Sequence, residues 1–81
     1  MPNARTPAQI GALIQRERKL RGLTQAQLGA KIGRRQATIS KLEKGEPATQ
    51  LNTLFDVLSA LNLEVAILER GKRTADIESI F

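Results

Sequence analysis

Eighty-one residues with 13 Lys and Arg against 8 Asp and Glu, and neither cysteine nor histidine, make one basic domain of net charge +5. The missing thiols and imidazoles exclude a disulfide framework and leave zinc without its usual ligands, so neither cofactor nor metal is expected. No apolar run reaches about 18 residues and the N-terminus lacks the apolar stretch of a leader, so an intracellular, soluble chain without a membrane span is expected.

A chain of this length buries only about 60–65% of its unfolded surface, so its core is small and open to completion by a partner. Residues 1–5 read as a loose polar lead-in, and residues 6–62 as one helical domain. Thr6 caps the first helix, Pro7 takes its first position, and Gln9 stands three residues after the cap. Ile10, Leu13 and Ile14 form its apolar face, with Leu20 near its end. Arg16, Arg18, Lys19 and Arg21 crowd the last turns, favourable against the helix dipole and available to phosphates. Gly22 stops the helix, and Leu23 sits where a hydrophobic staple would hold it.

Thr24 and Gln27 have the capping-box spacing of a second helix start. Leu28 and Ile32 supply the apolar stripe of this helix, and Gly33 the left-handed residue that ends it. A third helix begins near Arg35 and Gln36 and carries Ile39 and Leu42 inward, which leaves Gln36, Ala37, Ser40 and Lys41 on or near its outer side. An amide, a methyl, a hydroxyl and a cation on one exposed face suit a DNA major groove. Gln bonds adenine bidentately, Ser bonds a base edge or a phosphate, and Ala touches a thymine methyl. Two short helices joined by a tight turn with this surface are a helix-turn-helix signal.

Gly45 ends the third helix and Glu46-Pro47 connects onward. Thr49 is expected to cap a fourth helix, with Leu51, Leu54, Phe55, Leu58 and Leu61 as its core stripe; Asn62 closes it. Residues 63–68 (LEVAIL) fit two patterns. Leu63, Val65 and Ile67 alternate as in a strand, whereas Leu, Glu and Ala equally support a fifth short helix; Val and Ile tip the reading to strand. A lone strand has no internal partner, so pairing with a second copy would make Leu63, Val65 and Ile67 a dimer interface. Residues 69–81 form a tail in which Ile77, Ile80 and Phe81 flank two acids. Such a tail is either a frayed end or a linear peptide that docks in a partner.

Charge is unevenly divided. Residues 1–45 hold ten Lys and Arg against Glu17 and Glu43, a balance of +8, while residues 46–81 hold three against six acids, a balance of −3. Charge alone is compatible with an ordinary solvated surface. Its coincidence with the helix-turn-helix favours a phosphate-binding face. Gln36 is the first candidate for a base contact, with Ala37, Ser40 and Lys41 on the same face. Arg35 adds a cation that suits guanine O6 and N7. Thr24, Arg34, Thr38 and Lys44 are candidates for the phosphate backbone, which positions a protein without choosing sequence. The plain alternative for each polar side chain is solvated helix surface, and it weighs more for Lys44 than for Gln36. With no His, no Cys, no clustered carboxylates and no Gly-rich phosphate loop, catalysis is not expected.

Thr24-Gln25, Ala30, Gly33, Gln36-Ala37-Thr38-Ile39-Ser40 and Glu43 together resemble the Cro/C1-type (XRE) helix-turn-helix of phage repressors, over roughly residues 8–61. The run Arg35 to Ser40, followed after the last helix by a strand-like segment and a tail, resembles HipB-type antitoxins more narrowly. The fold implied is all-α with five elements: a lambda-repressor-like bundle of four helices, then a short C-terminal β-strand paired across a dimer. The resemblance places Gln25 where it bonds a phosphate and braces Gln36, and pairs Arg18 with Glu43 to hold the first and third helices together. Arg35 departs from the Ser cap common in the family, which weakens the start of the third helix. The function implied is repression at a palindromic operator by a homodimer in the bacterial nucleoid. The HipB-type resemblance adds neutralisation of a HipA-type serine/threonine kinase toxin. A stand-alone repressor with no toxin partner is the main rival, and a protein adaptor without DNA binding is a second.

Overall fold

The computed structural model describes residues 3–70; the docking-tail reading of Ile77, Ile80 and Phe81 lies outside the described residues. Within them the chain is all-α, with α1 spanning Pro7–Leu20, α2 Gln25–Lys31, α3 Gln36–Glu43 and α4 Leu51–Ala60.

Local chemistry sets most of the boundaries. Gln9 N–H donates to the Thr6 hydroxyl at 3.1 Å at the start of α1. The α2 box is complete: Gln27 N–H donates to Thr24 Oγ1 at 3.0 Å, and Thr24 N–H donates to Gln27 Oε1 at 2.9 Å. All four helices end with the same pair of backbone bonds. After α2 these run from Arg34 N–H to Gly29 C=O at 2.9 Å and from Gly33 N–H to Ala30 C=O at 3.4 Å, around Gly33 at φ 68°. Gly22, Gly45 and Asn62 take the same left-handed position at the other three ends.

α3 packs on both α1 and α2, with α4 closing the core from the side of α2. Ile14, Leu28, Ile39, Leu42, Val57, Leu58 and Leu61 are buried, and Leu23, Ile32, Leu54, Ala60 and Leu63 pack against them. Leu23 and Leu28 sit at the two staple positions of α2, so the staple joins the same core.

Three expectations for the C-terminal half are corrected. First, the α4 stripe is rotated from the one the spacing suggests. Leu54, Val57, Leu58 and Leu61 face inward, while Leu51 and Phe55 are 71% and 51% exposed. The apolar residues of α4 span an arc wider than one stripe, opposite Asn52, Asp56 and Ser59, and packing against the other helices selected the side of that arc containing Val57. Second, Thr49 does not cap α4; Gln50 occupies that position and makes no side-chain cap bond. Third, residues 63–69 carry no strand. Leu63 turns back onto the core, and its N–H donates to Leu58 C=O at 2.8 Å, while Val65 and Ile67 are exposed, Ile67 to 95%. A strand requires a ladder, and the described residues of one chain offer this segment none.

Candidate nucleic-acid interface

The helix-turn-helix is held by close backbone approach as well as by its core. A Cβ on Gly29 would stand 2.7 Å from Arg34 C=O, so the turn folds against α2 only because that side chain is absent. Gly11 has the same role between α1 and α3, where a Cβ would meet Leu42 C=O at 2.5 Å and Glu43 C=O at 2.6 Å. The sequence reading missed both positions. The available signal was a glycine in the interior of a helix, which costs helix propensity and is kept for a packing reason.

A buried ion pair ties α1 to α3. Arg18 Nε lies 2.7 Å from Glu43 Oε2, and Arg18 Nη2 donates to Glu43 Oε1 at 3.0 Å, with side chains only 8% and 2% exposed. Arg18 Nη1 also donates to Leu23 C=O at 2.7 Å, at the entry to α2. The fork of the guanidinium matches the two carboxylate oxygens, the geometry in which such a pair is strongest. Its hydrogen bond to Glu43 raises the guanidinium pKa above the ordinary arginine value, against the opposing effect of burial. A folded-state pKa raised above the unfolded one means that this stabilisation is full below the unfolded value and fades only as pH rises past both. Those values lie in the strongly alkaline range, so the contribution is constant at neutral pH.

The pair continues to the surface. Glu43 Oε1 also accepts from Gln25 Nε2 at 3.1 Å, and Gln25 Oε1 accepts from Gln36 Nε2 at 3.4 Å. Arg18, Glu43, Gln25 and Gln36 therefore form one hydrogen-bonded chain from the core to the start of α3. Among the described residues no buried side-chain nitrogen or oxygen lacks a partner.

The structure places the candidate DNA contacts as follows. Gln36, Ala37 and Lys41 are exposed on α3, Ser40 and Thr38 are half-buried, and Arg35 and Lys44 are exposed at its two ends. Arg35 is the N-cap and contributes no side-chain cap bond, in line with its departure from a Ser cap. Thr24 is exposed, although its oxygen is engaged in the capping box. Arg34 is half-buried, and its guanidinium lies 3.6 Å from the exposed carboxylate of Asp56 on α4. Asp56 is distant in sequence, so nothing near Arg34 signalled this pairing. Arg21 is likewise engaged, with Glu17 at 3.0 Å. The free cations near α3 are thus fewer than a count of basic residues implies. The arrangement is a short helix with a donor–acceptor outer face, braced from behind and flanked by Arg35, Lys41 and Lys44. No helix among the described residues is long and apolar enough to cross a membrane, and no group of three potential metal ligands occurs among them.

Comparison with known proteins matches the HTH_3 helix-turn-helix family over residues 14–68. Antitoxin HipB of Escherichia coli strain K12 is 36% identical over 64 residues, covering 79% of this chain and 73% of that protein. The uncharacterized HTH-type transcriptional regulator y4mF of Sinorhizobium fredii is 38% identical over 69 residues, covering 85% of this chain and 91% of that protein. Among solved structures, a chain of the HipA-HipB-O2-O3 complex superposes with a TM-score of 0.80 at 33% identity, covering 86% of this chain and 99% of that one. A chain of the HipB-O4 20mer complex superposes with the same TM-score, identity and coverage.

Proposed function

This chain belongs to the XRE-type HTH_3 helix-turn-helix family, and on that premise we propose that it is a HipB-like antitoxin that represses its own operon as a DNA-bound dimer. The observation that carries this reading is the outward amide of Gln36, braced on a buried ion pair, at the head of a helix flanked by cations. α3 enters the major groove, with Gln36 on adenine, Ala37 against a methyl, Ser40 on a base edge or phosphate, and Arg35 toward guanine. Lys41, Lys44, Thr24 and Thr38 hold phosphates, and the N-terminal excess of positive charge steers association.

The operator is an inverted repeat read by two copies, each placing one α3 in successive major grooves. Pairing of residues 63–68 with the same segment of a second copy joins them. It gives the backbone of residues 63–68 a ladder and covers the exposed Val65 and Ile67. The likeness to a chain of a HipA-HipB-O2-O3 complex supports a HipA-type protein as second partner, bound while the basic face stays on DNA. The likeness to y4mF, an HTH-type transcriptional regulator, supports gene regulation, which the rival reading of a stand-alone repressor with no toxin partner shares.

Affinity capture of the full chain from its native host, followed by mass spectrometry and sequencing of the bound DNA, tests both. Recovery of a HipA-like protein together with a duplex containing an inverted repeat supports the antitoxin. Duplex without a stoichiometric protein partner supports the stand-alone regulator. Recovery of neither refutes the reading.

A further inference from the structure

Resting on that reading of α3 as the DNA-reading helix, we infer that the buried Arg18–Glu43 pair also determines which base is accepted, because it fixes the direction of two successive amides. A carboxylate only accepts hydrogen bonds, and a glutamine amide has a donor end and an acceptor end. Glu43 Oε1, already bound to Arg18, accepts from Gln25 at 3.1 Å, so Gln25 must turn its NH2 inward. Its carbonyl oxygen is thereby turned outward, toward Gln36. Gln36 must then offer Gln25 an N–H, as it does at 3.4 Å. The reverse orientation would set two carbonyl oxygens against each other and lose the bond.

What remains on the outer edge of Gln36 is its carbonyl oxygen and one N–H. That donor–acceptor pair matches adenine, whose N7 accepts and whose N6 donates, and does not match the two acceptors of guanine. Polarity is transmitted from a carboxylate that is 2% exposed to a side chain at the surface. Gln25 is therefore a positioning residue for base choice, in addition to any contact it makes with phosphate. Arg18 and Glu43 contribute to base choice without approaching the DNA.

Selection of the full chain and its variants against duplexes randomised over about 20 base pairs, room for two half-sites one helical turn apart, tests this. Wild type selects adenine at one position of each half-site by about 10-fold or more, and Gln36→Ala erases that preference. Gln25→Ala keeps the Arg18–Glu43 pair and the fold, checked by circular dichroism, yet lowers the adenine preference to about 2-fold or less because the Gln36 amide can now turn. Gln25→Lys gives Glu43 a donor but offers Gln36 only donors. Gln36 then turns its carbonyl toward the lysine, which reverses the order of donor and acceptor on its outer edge, and the adenine preference is lost. If both Gln25 variants bind more weakly at every base but keep the adenine preference, the polarity relay is refuted while DNA reading by α3 stands. If wild type enriches no sequence, the reading of α3 itself fails, and the relay with it.

Discussion

Replacing Arg18 with methionine keeps the aliphatic length of the side chain but leaves Glu43 charged, nearly inaccessible and without a cation. Two bonds at 2.7 and 3.0 Å are lost, and the carboxylate keeps only its contact with Gln25. The Leu23 carbonyl also loses its donor at 2.7 Å. Removing one partner of a buried ion pair costs about 3–5 kcal/mol, because desolvation of the remaining charge is no longer offset. A chain of this size is expected to hold roughly 4–12 kcal/mol in total, so Arg18→Met removes a large fraction of its stability. Urea unfolding followed by circular dichroism reads this directly. With a slope of about 1 kcal/mol per molar, the midpoint falls by about 3 M or more. The companion variant Arg18→Met/Glu43→Leu replaces both charges with apolar groups and returns to within about 1 kcal/mol of wild type. A single variant within 1 kcal/mol of wild type would show that the pair is solvated and energetically minor. A double variant as unstable as the single one would show that packing, and not the stranded charge, dominates.

Gly11→Ala places a methyl group 2.5 Å from the Leu42 carbonyl, and the obstacle is backbone that cannot move aside. The expected loss of about 1–3 kcal/mol from overpacking exceeds the roughly 1 kcal/mol of helix propensity that alanine returns; an unchanged melting temperature would contradict it. Lys44→Ala should weaken DNA binding about equally for all sequences and lower the slope of log K against log salt by about one, read by fluorescence anisotropy. An unchanged slope would mean that Lys44 is solvated surface. Val65→Pro removes an N–H from the segment proposed to pair across the dimer, and sedimentation should then report monomers. A dimer that survives would place the interface elsewhere.

Much of the architecture was legible before any coordinates, and in each case for a local reason. Thr6 and Thr24 cap helices because each acts on amides two or three residues away. Gly22, Gly33, Gly45 and Asn62 end them because the left-handed conformation is a property of the residue itself. The pairing of Arg18 with Glu43, 25 positions apart, came only from resemblance to a known family, since no local rule joins residues at that distance.

The residues that the sequence misplaced share one physical feature. Leu51 and Phe55 point to solvent while Val57 is buried, and Gly11 and Gly29 admit a neighbouring backbone. Each outcome depends on a surface contributed by another part of the chain. The apolar arc of α4 is wider than the stripe a core needs, so its own periodicity allows two rotations, and contact with the rest of the core selects one. The missing strand at residues 63–69 is the same effect beyond the single chain, since β-propensity supplies the tendency but a ladder needs a second edge. Sequence by itself determined where the helices start and stop and which face of α3 is polar, because caps, turns and short-range periodicity act within a few residues. Only the tertiary structure decided which α4 residues form the core, which cations remain free, and that a buried carboxylate is linked through Gln25 to Gln36. Those outcomes depend on through-space contacts between segments whose relative placement no local pattern specifies.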